Sequence, residues 1–194
     1  MPALPTRGTA PGPPHIILDP TGTLTADQPG TPDAPRARRR ADLHGVTVGL
    51  LVNTKQNAAP FLDEVGRLLI ERYGAKGTMA RTKVNFAAPA DESLVKEMAA
   101  SCDVIITGIG DCGSCSASAV ADGIVFEAAG LPAAAICSDA FQVTADAMAD
   151  LRGAPGYRYA TTPHPVAVLT PEQVKERAAQ VLDDVVALLI ATDE

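Results

Sequence analysis

DVIITGIGDCGSC, residues 103–115, holds the sharpest structural signal in this 194-residue chain. Residues 104–109 form a nearly continuous apolar run, which is typical of a parallel strand buried on both faces. Residues 110–115 hold two glycines and two cysteines, and they open a stretch with helical spacing. A sharp turn between a buried parallel strand and a helix is where α/β proteins place reacting groups. The stretch therefore predicts an α/β domain with cysteine chemistry at a strand end.

Strand-like and helix-like segments alternate from Leu43 onward. Five strand-helix units of this length favour a flavodoxin-like, doubly wound sheet of about five parallel strands. Residues 43–194 are accordingly predicted to form a single α/β catalytic domain. Besides 104–109, the predicted strands are 46–52, 78–86, 131–137 and 157–162, and the predicted helices are 58–73, 91–101, 116–129, 140–151 and 171–190.

Residues 1–42 differ from the rest and hold more than half of the chain's 16 prolines. Proline fixes φ and removes an amide donor, so this composition predicts a Pro-rich extended arm or linker. The apolar patch 15–18 within it could dock on the body or on a second subunit. The basic cluster 36–40 is interpreted as a solvated charge run.

Charge and composition narrow the classes of partner. A net charge of −7 and a pI near 4.9 argue against nucleic acid, because phosphate binding needs a basic surface. No stretch approaches the roughly 20 apolar residues of a membrane span, and the N-terminus lacks a signal-peptide core. We therefore expect a cytoplasmic protein whose four cysteines are free, catalytic or metal-binding.

Cys112 and Cys115 are the first candidate catalytic residues. Two thiols separated by two residues can form a disulfide within one helical turn, and a helix N-terminus favours their thiolates. A redox pair would use both sulfurs, whereas a plain nucleophile would need one. Two structural alternatives remain open: small buried side chains that pack a turn, and half of a zinc site. Cys102 and Cys137 are interpreted as core thiols, with a supporting role open for Cys137.

Other chemically capable side chains follow neighbouring strands of the predicted sheet. Right-handed crossovers bring all strand carboxyl ends to one edge. His164, held between two prolines, is predicted to move protons or to keep Cys112 as a thiolate; a turn histidine that caps a carbonyl is the alternative. The predicted substrate-binding residues are Asn53, Lys55, Asn57, Gly110, Asp111, Gly113, Ser114 and Ser138. Among them Lys55 would neutralise an anion, and Asn57 could equally be a helix cap.

Four stretches carry a family resemblance: residues 48–58, 108–115, 136–141 and 163–165. They resemble the UGSC-type family, named after selenocysteine or cysteine followed by Gly-Ser-Cys, over roughly residues 43–190. Selenium at the position of Cys112 in such relatives implies a reacting chalcogen, with Cys115 as its partner. Gln56 departs from a frequent proline, and the Pro-rich lead-in has no counterpart in the resemblance. More loosely, the sheet pattern is similar to one lobe of aspartate/glutamate racemase-like enzymes, which implies that a second subunit completes the site.

These observations predict an enzyme in which Cys112 attacks a small anionic metabolite and Cys115 resolves or tunes the thiol. The net reaction stays open between thiol redox chemistry and a lyase, hydratase or transfer reaction. No metal or other cofactor is predicted, and a homo-oligomer or a partner subunit is expected. The alternative from another class is a non-catalytic redox-sensing or metal-binding subunit. A flavodoxin-like electron carrier is disfavoured, because the first strand-helix loop lacks a Ser/Thr-rich phosphate cradle.

Overall fold

The computed structural model describes residues 36–191 of the chain. The predicted arm up to residue 35, including its apolar patch at 15–18, lies outside the described residues, as do residues 192–194. The strands are β1 (Thr47–Val52), β2 (Gly77–Thr82), β3 (Val104–Gly110), β4 (Ala133–Ser138) and β5 (Ala160–Thr162). The helices are α1 (Ala58–Tyr73), α2 (Glu92–Ser101), α3 (Gly113–Ala128), α4 (Gln142–Leu151) and α5 (Pro171–Leu189), with a short 3-10 turn at Asp139–Phe141.

The five strands form one parallel sheet in the order β2-β1-β3-β4-β5. This is the flavodoxin-like order, in which the chain reverses direction across the sheet between β1 and β3. The predicted fold class, an α/β doubly wound sheet of five parallel strands, is confirmed. β3 is the central strand, and all seven of its residues are buried.

Helices cover both faces of the sheet. On one face α1 packs against α5, and their apolar stripes meet alternate residues of β1 and β3 such as Leu50 and Ile106. On the other face α3 lies between α2 and α4. There Leu51 and Ile105 pack against Met98 of α2. Burial on both faces explains the continuous apolar runs that the sequence shows for these strands.

The boundaries at the carboxyl edge of the sheet differ from the predicted ones in a useful way. α3 begins at Gly113, three residues before the predicted start, so Cys115 lies in its first turn. β2 ends at Thr82, four residues before the predicted end, and residues 83–90 form a loop. α1 begins after Asn57, which has a left-handed φ of 65°.

The interpretation of the basic cluster at 36–40 as a solvated charge run is wrong for Arg39 and Arg40, whereas Arg36 and Arg38 are exposed. Arg39 pairs with the buried carboxylate of Glu127, with Nη1 2.7 Å from Oε1. Arg40 pairs with Asp103, and its backbone bridges to Ile190 beyond the end of α5. The buried Glu127 carboxylate needs a charged partner, which draws Arg39 onto the domain, whereas the Arg40–Asp103 pair is partly exposed.

Candidate functional site

The parallel topology brings the connections after all five strands to the carboxyl edge of the sheet, and four of them carry the predicted site residues. They are residues 53–57 after β1, 111–112 after β3, 139–141 after β4 and 163–170 after β5. Side chains tie neighbouring loops together: Asn53 Nδ2 donates to the carbonyl of Ile109 at 2.8 Å. The edge is therefore one connected surface on which residues distant in sequence lie side by side.

Cys112 is the N-cap residue of α3. Its backbone is extended, and its Sγ accepts the backbone N–H of Cys115 at 3.3 Å. The Sγ of Cys115 lies 2.7 Å from the Sγ of Cys112, and the Ser114 hydroxyl lies 3.5 Å from the same sulfur. Cys112 is half-buried, whereas Cys115 is fully buried. One sulfur is thus open to a ligand while the other stands behind it.

The two thiols differ in acidity. Burial raises the pKa of Cys112, but hydrogen bonds from Cys115 and Ser114, together with the charge of Lys55, outweigh it and lower that pKa below its ordinary value. Burial and the neighbouring Cys112 sulfur raise the pKa of Cys115 to about 12. Cys112 is therefore the thiol of the pair that ionises first, and the aligned N–H groups at the start of α3 favour the same order.

His164 forms a second contact set with Asp111, the residue directly before Cys112. Its Nδ1 lies 2.9 Å from Asp111 Oδ1 and 3.4 Å from the Ser138 hydroxyl. The carboxylate accepts, so the proton lies on Nδ1 and Nε2 is left as the basic nitrogen. Phe141 holds the ring edge-on, with ring centroids 5.2 Å apart. The imidazole is fixed in tautomer and orientation.

Asp111 is buried, and internal donors occupy both of its carboxylate oxygens. Besides His164, Oδ1 accepts the backbone N–H of Val166 at 3.0 Å, and Oδ2 accepts that of Ala167 at 2.9 Å. Asn57 supports the same loop: its amide donates to the carbonyls of Val166 and Leu169, both at 2.9 Å, and makes no helix-cap bond. These contacts give Asp111 and Asn57 positioning roles in the loop after β5.

Three more of the predicted substrate-binding residues face inward. The amide oxygen of Asn53 accepts the Lys55 N–H, and the Ser138 hydroxyl donates to the carbonyl of Gly110 at 2.9 Å. An added Cβ on Gly110 would lie 2.7 Å from the Cα of Ser116. Gly110 is therefore a packing requirement. Of the predicted substrate-binding residues, those left accessible to a ligand beside Cys112 and His164 are Lys55, Gly113 and Ser114.

The other two cysteines are buried, as the sequence predicts. Burial raises the pKa of Cys137 to about 12, and burial together with the Asp103 charge raises that of Cys102. Cys137 Sγ lies behind the cysteine turn, within 3.9 Å of the Ser116 carbonyl. Both thiols are protonated at neutral pH and add no nucleophile to the edge.

Sequence reasoning missed a buried ionic cluster beside α3. Lys83 Nζ lies 2.5 Å from Asp122 Oδ2 and 2.6 Å from the Ser118 hydroxyl. The other oxygen of Asp122 accepts the N–H of Ala90, which fastens the loop after β2 to α3. The position of Lys83 in the sequence could have revealed this residue, because it directly follows β2 and so lies at the same edge as the other candidate site residues.

Residues 36–191 hold no group of three or more His, Cys, Asp or Glu side chains arranged to share a metal ion. None of their helices combines the length and apolar character that a bilayer crossing demands.

Comparison with known proteins gives a family and likenesses to solved structures. No curated protein matches the chain. A solved structure described as an ABC transporter permease from the Pseudomonas fluorescens group is similar at 14% identity and a TM-score of 0.35. That match covers 76% of this chain, which spans 36% of the other. The racemase-like likeness finds no support among these matches.

A sequence model of the UGSC family matches residues 16–191. The match includes the cysteine turn, the five strands of the sheet and the helices α1–α5. The match begins at residue 16, inside the Pro-rich lead-in, so it extends further towards the N-terminus than the range of roughly 43–190 that the four motifs indicate. With so much of its length aligned, the chain belongs to the UGSC family.

Proposed function

We propose that the chain is a cysteine-dependent enzyme in which the Cys112 thiolate attacks a small anionic metabolite. The observation that carries the proposal is the unequal thiol pair at the start of α3. The half-buried sulfur has the lowered pKa, and the buried one, 2.7 Å behind it, has a pKa near 12. A packing role needs no such difference, whereas a nucleophile and its partner do.

The neighbouring side chains supply what an attack on an anion requires. Lys55 lies close enough for its charge to lower the pKa of Cys112, and the same charge attracts a carboxylate or phosphate group. Ser114 is exposed and adds a hydroxyl donor beside the sulfur. His164, with Nδ1 on Asp111, presents Nε2 as the proton acceptor or donor for the reacting molecule.

The short sulfur-sulfur distance favours thiol-disulfide exchange as the outcome. The Cys112 thiolate attacks one sulfur of a small disulfide, forms a mixed disulfide and releases a thiolate that takes up a proton. Cys115 then attacks the Cys112 sulfur of the mixed disulfide. This attack expels the second substrate thiolate, which takes up the proton that Cys115 loses. The substrate disulfide is reduced to two thiols while the pair becomes a disulfide, and two equivalents of a thiol co-substrate, oxidised to their own disulfide, restore the pair.

The same distance supports one alternative, a redox-sensing subunit that forms its disulfide without turnover. Turnover separates the two. An enzyme consumes many equivalents of a small disulfide per chain when a thiol co-substrate is supplied, whereas a sensor stops after one.

Intact-mass spectrometry after incubation with small anionic disulfides and electrophilic metabolites tests the proposal. We expect a mass gain at Cys112 in the Cys115→Ser variant, since the resolving thiol is missing and the mixed disulfide persists. The native chain should instead lose the mass of two hydrogens as its own disulfide forms. Cys102→Ser is the matched control, because it removes a buried thiol away from the carboxyl edge.

Two results would contradict the proposal. One is full activity in a Cys112→Ser variant. The other is modification at Cys102 or Cys137 with Cys112 left intact. Adduct formation by a non-disulfide electrophile alone would retain the nucleophile and replace exchange by a lyase or transfer reaction.

A further inference from the structure

A basic cavity lies at the opposite edge of the sheet from the cysteines. It has a volume of about 220 Å³ and is lined by three arginines, Arg36, Arg39 and Arg158, over a floor formed by Tyr157 and the α5 residues Ala187 and Leu188. Arg158 precedes β5, and Leu188 lies at the C-terminal end of α5, so the cavity sits at the amino ends of the strands. A strand of seven residues, such as β3, puts roughly 20 Å between the two edges.

The three guanidinium groups are not equally engaged. Arg39 is fixed, because its Nη1 donates to both oxygens of Glu127 at 2.7 and 2.9 Å. Glu127 is itself saturated by the N–H groups of Ala37 and Ala133. Arg36 donates to the carbonyl of Gly156, and neither Arg36 nor Arg158 forms an ion pair with any residue in the range 36–191. Among residues 36–191, therefore, no carboxylate compensates the charges of Arg36 and Arg158.

The described residues thus leave this cavity positive, although the chain as a whole has a net charge of −7. Arginine presents a planar fork of donors that matches phosphate oxygens two at a time. The volume lies below the roughly 300–1,000 Å³ of pockets for drug-sized ligands, which restricts the occupant to a few heavy atoms beyond a phosphate. The apolar floor of Ala187 and Leu188 suits a short carbon chain.

We propose that this cavity binds a small phosphate monoester, with Arg36 and Arg158 as the binding residues and Arg39 as the fixed wall. The site is separate from Cys112 and independent of the proposed reaction. Glu127 holds Arg39 in place, so that one guanidinium is preorganised before the ligand arrives.

Calorimetric titration of the full chain tests the site with three probes: glycerol 3-phosphate, inorganic phosphate and succinate. We expect glycerol 3-phosphate to bind with a dissociation constant below about 1 mM. Charge-assisted hydrogen bonds to two guanidiniums are lost in the double variant Arg36→Gln/Arg158→Gln, so its affinity should fall at least about tenfold. Both side chains are exposed, which favours a folded variant, and circular dichroism verifies it.

A charge-matched double variant, Arg38→Gln/Arg152→Gln, removes two exposed arginines that do not line the cavity. It should bind glycerol 3-phosphate as the native chain does, and so should Lys55→Gln and Cys112→Ser. Equal weakening in the charge-matched control would reduce the effect to net charge and overturn the site. Loss of binding in Lys55→Gln would move the anion to the cysteine edge. The proposal would also be refuted if neither glycerol 3-phosphate nor inorganic phosphate bound. It would equally be refuted if succinate bound as tightly as glycerol 3-phosphate.

Discussion

Cys112 and Cys115 are three positions apart, yet they face different surroundings. Cys112 stands just outside α3, where its sulfur receives hydrogen bonds from the first turn. Cys115 lies inside that turn, away from solvent, with its sulfur 2.7 Å from that of Cys112. Position relative to the helix end therefore produces the difference in acidity, and the same residue type serves two purposes.

The pH dependence of alkylation reports this difference. We expect iodoacetamide to modify Cys112 first, with a rate that rises through a midpoint below the ordinary thiol pKa of 9.0, because the lowered pKa increases the thiolate fraction at any given pH. Removing the Lys55 charge by Lys55→Gln takes away one stabilising interaction, so the midpoint moves up and the rate at pH 7 falls roughly two- to fivefold.

Lys76→Gln provides the control, because this exposed lysine precedes β2 at the other edge of the sheet. Its profile should overlay that of the native chain. A midpoint at or above 9 in the native chain, or an equal shift in both variants, would contradict the assignment of the thiolate to Cys112.

The two glycines that flank Cys112 differ in the space around them. A Cβ at Gly110 would lie 2.7 Å from the Cα of Ser116 and 2.9 Å from the Sγ of Cys137, whereas at Gly113 it would meet Thr144 at an ordinary 3.7 Å. We expect Gly110→Ala to lower the free energy of unfolding by about 1–3 kcal/mol, since backbone must move. Gly113→Ala should stay within about 0.5 kcal/mol. Urea denaturation measures both, and equal losses would refute this account.

At the scale of elements, the loop between β5 and α5 is held from outside itself. Asp111, in the turn after β3, receives two of its N–H groups, and Asn57, at the start of α1, donates to its carbonyls. His164 lies in this loop. The histidine is thus placed by the turn that carries Cys112, so the two halves of the candidate site are mechanically linked.

Replacing Asp111 by asparagine tests that link. One acceptor is lost, and buried N–H donors are left without a charged partner, which should reduce the free energy of unfolding by about 2–4 kcal/mol. Hydrogen exchange at the amides of Val166 and Ala167 should accelerate more than exchange in β1. The control Asp139→Asn changes an exposed carboxylate that accepts one bond, from the His164 N–H, and should cost under about 1 kcal/mol.

If hydrogen exchange in Asp111→Asn accelerated equally across the whole sheet, the variant would be destabilised globally. Asp111 would then not hold the loop between β5 and α5 specifically. A stability loss in Asp139→Asn equal to that in Asp111→Asn would likewise contradict the positioning role.

For the whole molecule, the sequence predicts the sheet and the edge that carries the chemistry because both follow from local patterns. Apolar runs mark β1, β3 and β4, and parallel connections then force the strand ends together. The partners of Asp111, Asn57 and Glu127 could not be read in this way. Each contact spans between 53 and 112 positions and leaves no period in the chain. The interpretation of residues 36–40 failed for that reason, since it considered the arginines without the carboxylates they meet.

Limited digestion with trypsin distinguishes the two descriptions of this basic segment. A solvated run would be cut rapidly after each arginine. In the structure the Arg40 N–H donates to the Leu189 carbonyl, and the Arg40 carbonyl accepts the N–H of Ala191. Arg39 is paired with Glu127. We therefore expect the bonds after Arg39 and Arg40 to resist cleavage.

Glu127→Gln should expose those bonds. It removes the charge that binds Arg39 and weakens the acceptor for the Ala37 and Ala133 amides, so the segment opens more often and cleavage accelerates about tenfold or more. Glu97→Gln is the control, because Glu97 pairs with Arg81 on the surface of α2 and leaves residues 36–40 untouched. If the native chain is cut after Arg40 as fast as an unfolded peptide, or if both variants are cut at the same rate, the segment is not held by this pair. Mass spectrometry of the first fragments identifies each cleavage site, so the comparison is made bond by bond.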